Sequence, residues 1–351
     1  MKNESNIIWQ DWQKLNQAID GKYSKIIVLT DSNVERYCMP DLLENLNQPI
    51  DFTISISAGE LHKNLKSAQT IWHSLLQNHV DKKALLLCLG GGVVTDLGGF
   101  CASVFKRGIS TIFIPTSLLG ITDAALGNKT GLDFESNKNI IGTFYAPAQI
   151  FIAPLFLKTL PKKEWINGFA EILKHAIIDD AHLWKMIAEN PEFNVTSIHE
   201  DILKKSISVK FRIVSEDPFE NSVRKKLNFG HTVGHAIESF FLESGQEISH
   251  GLAVAAGMWI ESYLNLSYGV LDITDFQKII NVIDYNFPKL NLREEFIEEI
   301  LGYCQNDKKS EFGKLSITKI FTIGHSEPLL EVGLNEIREG LAAYIKQSTG
   351  R

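Results

Sequence analysis

The chain has 351 residues, 44% of them hydrophobic and 22% charged, a balance that excludes an intrinsically disordered protein and, at about 150 residues per domain, predicts two domains. Lys and Arg number 35 against 42 Asp and Glu, for a formal net charge of −7, which argues against a nucleic-acid binder because such binding rests on a basic footprint. Four scattered cysteines with no CxxC pair indicate neither a disulfide framework nor a thiolate zinc site. The first residues carry no apolar signal segment, and the most apolar stretch, 109–127, is broken by Pro115 and Asp123, so no membrane partner and a cytoplasmic location are expected.

In chain order, Lys25–Thr30 (KIIVLT) reads as a strand, followed by the capping cluster Asp31-Ser32-Asn33. Phe52–Ile56 is a second strand, and Ser67–Val80 carries Ala68, Ile71, Leu75 and Val80 at helical spacing. Ala84–Leu89 (ALLLCL) is a continuous apolar run, the mark of a parallel strand buried on both faces, and it stops at Gly90-Gly91-Gly92. A helix, then strands at Thr111–Ile114 and Gln149–Ala153, complete a βαβ pattern with a mainly parallel sheet. Beyond a hinge at Thr159-Leu160-Pro161 the periodicity turns helical, over Glu164–Ile178, His199–Glu216, Phe229–Leu242, Gly251–Leu266, Thr274–Ile283 and Leu334–Lys346, with one short strand pair around Leu315–Ile323. The expected architecture is an α/β domain over 1–158 with a Rossmann-like sheet, and an all-α metal- and substrate-binding domain over 159–351.

Three constellations carry chemistry. Gly90-Gly91-Gly92 between strand and helix lets bare backbone approach a phosphate at a helix N-terminus, although the spacing departs from GxGxxG and suits a ligand-free tight turn equally well. His231 and His235 lie four apart on one helix face, His250-Gly251 heads the next helix, and Glu171 lies upstream. Two or three imidazoles plus a carboxylate is the pattern of a catalytic zinc site, whereas Glu171 taken alone reads as an exposed helix glutamate paired with Lys174 or His175. Cations and amides recur in glycine-rich or apolar segments, at Arg107, Lys129, Lys138, Asn139, Lys210, Arg224, Lys308 and Lys309. Lys129, with small residues on either side, reads as a charged tip in a cleft, and this many cations suits a substrate with two anionic groups.

Taken together, GGGVVTDLGGFCASVFKRG (90–108), KTGLDFESNKNIIGTFYAP (129–147), GFAEILKH (168–175) and LNFGHTVGHAIES (227–239) resemble 3-dehydroquinate synthase, of the sugar-phosphate cyclase superfamily, in order over most of the chain. The resemblance implies an NAD-binding α/β domain, a helical domain holding a divalent metal (zinc or cobalt), and a homodimer. It implies metal ligands Glu171, His231 and His250, and makes His235, which spacing alone offers as a ligand, an active-site histidine. Gly90, Gly91, Gly92 and Asp96 would hold the cofactor pyrophosphate and nicotinamide side. Asp31, Asn33, Glu60 and Lys63 would hold its adenosine end, with Thr116 and Ser117 lining the cleft and Lys129 and Lys138 also reaching the cofactor. Implied substrate contacts are Asp123, Lys129, Lys138, Asn139, Lys174, Lys210, Arg224, Asn228 and one of Lys308 and Lys309, with Arg107 reaching the phosphate of a neighbouring subunit.

The activity implied is conversion of 3-deoxy-D-arabino-heptulosonate 7-phosphate, a keto-acid sugar phosphate, into 3-dehydroquinate and phosphate, a step of aromatic amino acid biosynthesis. The alternatives are another sugar-phosphate cyclase or a metal- and NAD-dependent polyol dehydrogenase. The chain departs from the family pattern at Asn128, Asn137 and Ser222, where glycines are usual, and at Ser117, Ala153 and Leu252.

Overall fold

The computed structural model describes residues 6–135, 137–190, 194–246, 248–307 and 315–349, and the chain divides into two compact units, Met1–Glu164 and Trp165–Arg351. In the first unit the elements run β1 (Ile7–Trp9), α1 (Trp12–Ile19), β2 (Ile26–Asp31), α2 (Ser32–Tyr37), α3 (Met39–Asn45), β3 (Phe52–Ile56), α4 (Leu65–Gln77), β4 (Leu85–Gly90), α5 (Gly92–Val104), β5 (Ser110–Pro115), α6 (Leu118–Thr122), β6 (Lys129–Phe134), β7 (Asn137–Phe144) and β8 (Gln149–Ile152). From Lys162 the chain is mainly helical: α7 (Lys162–Asp179), α8 (Ala181–Ala188), α9 (Glu200–Glu216), α10 (His231–Glu243), α11 (His250–Ser267), α12 (Ile273–Asn286) and α13 (Ile297–Asp307), then β9 (Leu315–Thr322), β10 (His325–Val332) and α14 (Leu334–Thr349).

Six strands form one sheet in the order β1-β8-β5-β4-β2-β3, and every pairing in it is parallel. β4 lies inside this sheet, and all its residues are buried, which is why its sequence runs apolar without alternation. Leu85, Leu87 and Leu89 join a core with Leu15, Leu42 and Phe151. On the opposite face Cys88 meets α5 at Gly98, where an added Cβ would lie 2.5 Å from the thiol sulfur; only a glycine lets this helix settle so closely on the strand. β6 and β7 form a separate antiparallel hairpin, absent from the expected pattern of strands and helices.

The expectation of an all-α second half needs one correction. β9 and β10 pair antiparallel there, the strand pair anticipated near 315–323, and they bind the helices together. Asn265 of α11, fully buried, donates to the Thr318 carbonyl at 3.0 Å and accepts from the Ile320 N–H at 2.8 Å. The Gly324 N–H donates to the Ile177 carbonyl (2.7 Å) and the Ser326 hydroxyl to that of Ile178 (2.8 Å), so the hairpin also holds the end of α7. Asn265→Ala should destabilise the protein by about 1–3 kcal/mol, because it strands buried backbone groups. Urea unfolding checks this as a lowered midpoint at unchanged slope.

Candidate active site

The sheet changes winding direction between β2 and β4, and in such folds ligands bind beyond the carboxyl ends of the strands at that point. Asp31 ends β2 there and caps α2, accepting from the N–H groups of Asn33 (2.9 Å) and Val34 (3.0 Å). Gly90 ends β4 beside Pro115. Gly91 then caps α5 with no side chain of its own, and a Cβ on it would lie 3.0 Å from Ser117 Oγ. Thr116 donates its N–H to the Gly90 carbonyl (3.0 Å), and Ser117 accepts from the Gly120 N–H (3.1 Å). The structure therefore gathers Gly90, Gly91, Gly92, Thr116 and Ser117 around the bare N-terminus of α5, a cradle shaped for a phosphate group.

Lys63 is 4% exposed. It donates to Asp96 Oδ2 and to Asn139 Oδ1, both at 2.6 Å, with Glu60 Oε1 3.8 Å away. Burial works against its charge, but Asp96 and Glu60 prevail and its pKa is raised. Burial raises the Asp96 carboxyl above its ordinary value, and Lys63 offsets only part of that rise. The Lys63 ammonium thus links the helix after the glycine turn to the β6–β7 hairpin. Asn139 takes a left-handed backbone (φ 52) and donates its N–H to Asp133 Oδ1 at 2.7 Å. Asn128 is also left-handed (φ 53), a conformation asparagine adopts more readily than other side chains, so its replacement of a glycine leaves the turn intact. Asp123 is half-buried at the end of α6. Lys129, expected as a charge inside a cleft, is exposed on β6, and Lys138 is exposed on β7. Arg107 is exposed on a left-handed backbone (φ 63).

The second unit converges on Glu171. This residue is fully buried on α7, in contrast to the exposed glutamate that it resembles when read alone, and its carboxylate is ion-paired with Lys174. Its Oε1 faces His231 Nε2 at 3.4 Å and His250 Nε2 at 3.8 Å. The ligand atoms of Glu171, His231 and His250 all lie within 4.8 Å of one another. Burial opposes the charge on Glu171, but Lys174 and His231 hold the carboxyl well below its usual range. Burial and the Lys174 charge pull His231 down to about 4. Its ring is then neutral at pH 7, and its Nδ1 must donate to the Phe229 carbonyl, 3.1 Å away. Nε2 therefore presents a lone pair to a carboxylate oxygen that accepts no hydrogen bond. Two acceptors aimed at one point fit a divalent cation between them.

Burial opposes the charge on His250 too, but the neighbouring carboxylates of Glu171 and Glu238 raise its pKa to about 9. Glu238 Oε2 lies 3.4 Å from His250 Nδ1 and orients that ring. His235 stands beside both, with ring centroids 5.1 Å from His231 and 5.8 Å from His250. His235, Glu238 and His250 form a second ligand-sized group. The Glu171 set is the better cage, because Oε1 is buried without a hydrogen bond while Oε2 is left to Lys174, and the Glu238 carboxylate is already spent on Nδ1.

Glycines make this convergence possible. A Cβ on Gly257 would lie 2.0 Å from the Gly230 carbonyl oxygen, and one on Gly251 would lie 2.6 Å from Asn167 Cα. Asn167 Oδ1 accepts from the Gly251 N–H at 3.0 Å, and Glu261, fully buried, accepts from the Gly230 N–H at 3.0 Å. Glu238, Asn167 and Glu261 escape sequence reading. Glu238 alone has a signal, standing one helical turn after His235.

Lys210 on α9 is 6% exposed and Arg224 2%. Arg224 donates to the Pro218 carbonyl at 2.7 Å, and Asn228 donates to Glu220 Oε1 at 2.9 Å. Ser222 has a negative φ (−143) and needs no glycine there. Lys308 and Lys309 lie outside the described residues. Gly257→Ala should push α10 off α11 and cost about 3 kcal/mol. The expected outcome is a lowered urea midpoint together with loss of bound divalent metal on elemental analysis.

Comparison with known proteins follows the same division. A model of the 3-dehydroquinate synthase N-terminal domain matches residues 53–167, and one of the C-terminal domain matches 168–310. The 3-dehydroquinate synthase of Parabacteroides distasonis is 36% identical over 92% of this chain and 92% of its own. That of Pyrococcus furiosus is 39% identical over 86% of this chain and 87% of its own. Among solved structures, 2-epi-5-epi-valiolone synthase from Streptomyces hygroscopicus subsp. jinggangensis 5008, with NAD+ and Zn2+ bound, aligns at TM-score 0.85 and 25% identity, over 97% of this chain and 96% of that one. A 2-deoxy-scyllo-inosose synthase aligns at TM-score 0.82 and 21% identity over 96% of each chain, which speaks for the fold. With both halves matched in order, the chain belongs to the 3-dehydroquinate synthase family.

Proposed function

We propose that this chain converts 3-deoxy-D-arabino-heptulosonate 7-phosphate into 3-dehydroquinate and inorganic phosphate, the activity for which its relatives are named. The observation that carries this reading is the convergence of Glu171, His231 and His250 on one point, in a unit that also buries Lys210 and Arg224.

NAD and a divalent ion are part of the reading. The cradle that a Cβ on Gly91 would fill suits the cofactor pyrophosphate, and the aligned valiolone synthase binds both NAD+ and Zn2+. When bound, NAD supplies a reversible hydride acceptor and the metal a Lewis acid at the reacting carbon.

The chain's own residues do the rest. Glu171, His231 and His250 hold the ion, and Lys174 stays fixed beside Glu171. Lys210, Arg224 and Asn228 grip the substrate carboxylate, using charge-assisted hydrogen bonds that neutral donors cannot equal. Lys129 and Asn139 bind the phosphate, which takes the proton of the neighbouring carbon as it leaves, and Lys138 is a further substrate contact. Asp123 lies with these substrate contacts. Arg107, exposed on its strained turn, reaches the phosphate of a second copy, so a homodimer belongs to the same proposal. His235 holds a substrate hydroxyl proton in place for ring opening and the aldol closure.

The test is direct. Supplied with the heptulosonate phosphate, sub-stoichiometric NAD and Zn2+ or Co2+, the protein should release phosphate with no net gain of NADH. Stoichiometric NADH accumulation would point to the dehydrogenase instead. Glu171→Ala and His231→Ala should each lose the metal by elemental analysis, and retention of one ion per chain would overturn the ligand assignment. Lys210→Ala should raise KM about tenfold or more, the scale of one lost hydrogen bond to a charged group. Initial-rate kinetics check it.

A further inference from the structure

The segment 217–224 is bent so as to aim one carboxylate at the donors just assigned to the substrate. Asp217 organises the bend: its Oδ1 accepts from the Asn221 N–H (3.0 Å), and its Oδ2 from the N–H groups of Ser222 (2.7 Å) and Arg224 (3.1 Å). Inside that bend Glu220 adopts a left-handed backbone, φ 60, an unfavourable conformation for a glutamate that surrounding bonds must hold. The outcome is that Glu220 Oε1 accepts from Asn228 Nδ2 at 2.9 Å while Oε2 lies 4.0 Å from Arg224 Nε. The Arg224 side chain is 3% exposed and that of Glu220 20%. The cation is fixed in the interior; the carboxylate has a path to solvent.

We infer that Glu220 is an internal stand-in for the substrate carboxylate, occupying the Arg224–Asn228 pair between turnovers and yielding it to an incoming carboxylate. This inference rests on the reading that Arg224 and Asn228 grip the substrate carboxylate. A buried guanidinium without a counter-charge is costly, and the exchange gives Arg224 a carboxylate partner in both states. It also sets specificity. A ligand without a carboxylate gains nothing at this pair, because Glu220 keeps it. A carboxylate ligand must outcompete a tethered rival, which holds down the affinity for small, abundant acids.

Glu220→Gln keeps an acceptor for Asn228 and removes the rival charge. The KM for the heptulosonate phosphate should fall about three- to tenfold, and competitive inhibition by pyruvate, a small keto acid, should tighten by a similar factor, the scale of one modest ion pair. Glu220→Asp, too short to reach both donors, should shift both constants the same way but less. A residue that merely supports the loop would give the opposite sign. Unchanged or raised constants in Glu220→Gln, with its thermal midpoint retained, overturn the inference. Arg224→Gln separates the two ideas: a KM that stays unchanged there rejects the carboxylate grip itself, whereas a KM raised more than tenfold upholds the grip whatever Glu220 does.

Discussion

The second unit depends on one contact, the crossing of α10 over α11, where backbone meets backbone at Gly257 and Gly234. At Gly257 an added Cβ would sit 2.0 Å from the Gly230 carbonyl oxygen, and at Gly234 it would sit 2.9 Å from that of Ala253. Backbone on backbone sets His231 and His235, one turn apart on α10, against His250 in the first turn of α11. The same helix fixes the start of its neighbour, because Glu261 accepts from the N–H groups of Gly230 (3.0 Å) and Val233 (3.5 Å). A buried carboxylate there complements the positive end of α10 and satisfies donors that a helix start leaves open. Gly251, pressed on Asn167, brings α7 and therefore Glu171 into the same place.

This rigidity explains how a carboxylate can be buried so completely and stay ionised. Glu171 lies against Lys174, its own neighbour one turn along α7. That lysine both keeps the carboxylate charged and depresses the nearby His231. Phe229 and Glu238 fix the two ring orientations from behind. His231 thus arrives with its tautomer chosen by the hydrogen bond from Nδ1, and Nε2 of both His231 and His250 is turned to the carboxylate.

Much of this was legible in the chain, for reasons that can be named. Apolar runs such as 85–89 announce strands buried on both faces, and spacing of three and four announces the long helices. The β6–β7 hairpin was not legible, because β7 reads NKNIIGTF and stays mostly exposed on both faces, so no alternation appears. It closes instead through two opposed glycines, Gly131 and Gly142, whose added Cβ atoms would strike backbone oxygens at 2.7 and 2.5 Å. β1 has only three residues, too few to show a period. Among site residues, the histidines and Glu171 sit in segments whose family resemblance named them. Glu261 acts through contacts 28 and 31 residues away in sequence, a distance at which no local pattern connects donor to acceptor, and Glu220 meets Arg224 through a left-handed bend rather than along a helix face.

An acidic composition is compatible with the doubly anionic substrate proposed above, because the buried cations come with their own carboxylates. Lys63 is matched with Asp96, Lys174 with Glu171, and Arg224 with Glu220. Each cation is sequestered with a carboxylate that offsets its desolvation, so the three pairs are neutral and buried cations coexist with the net charge of −7. The three pairs differ in what they permit. In the first two the carboxylate is held by short contacts and serves as a fixed part of the structure. In the third the ion pair is longer and the carboxylate has access to solvent, so its cation is the one that an external acid can claim by simple exchange.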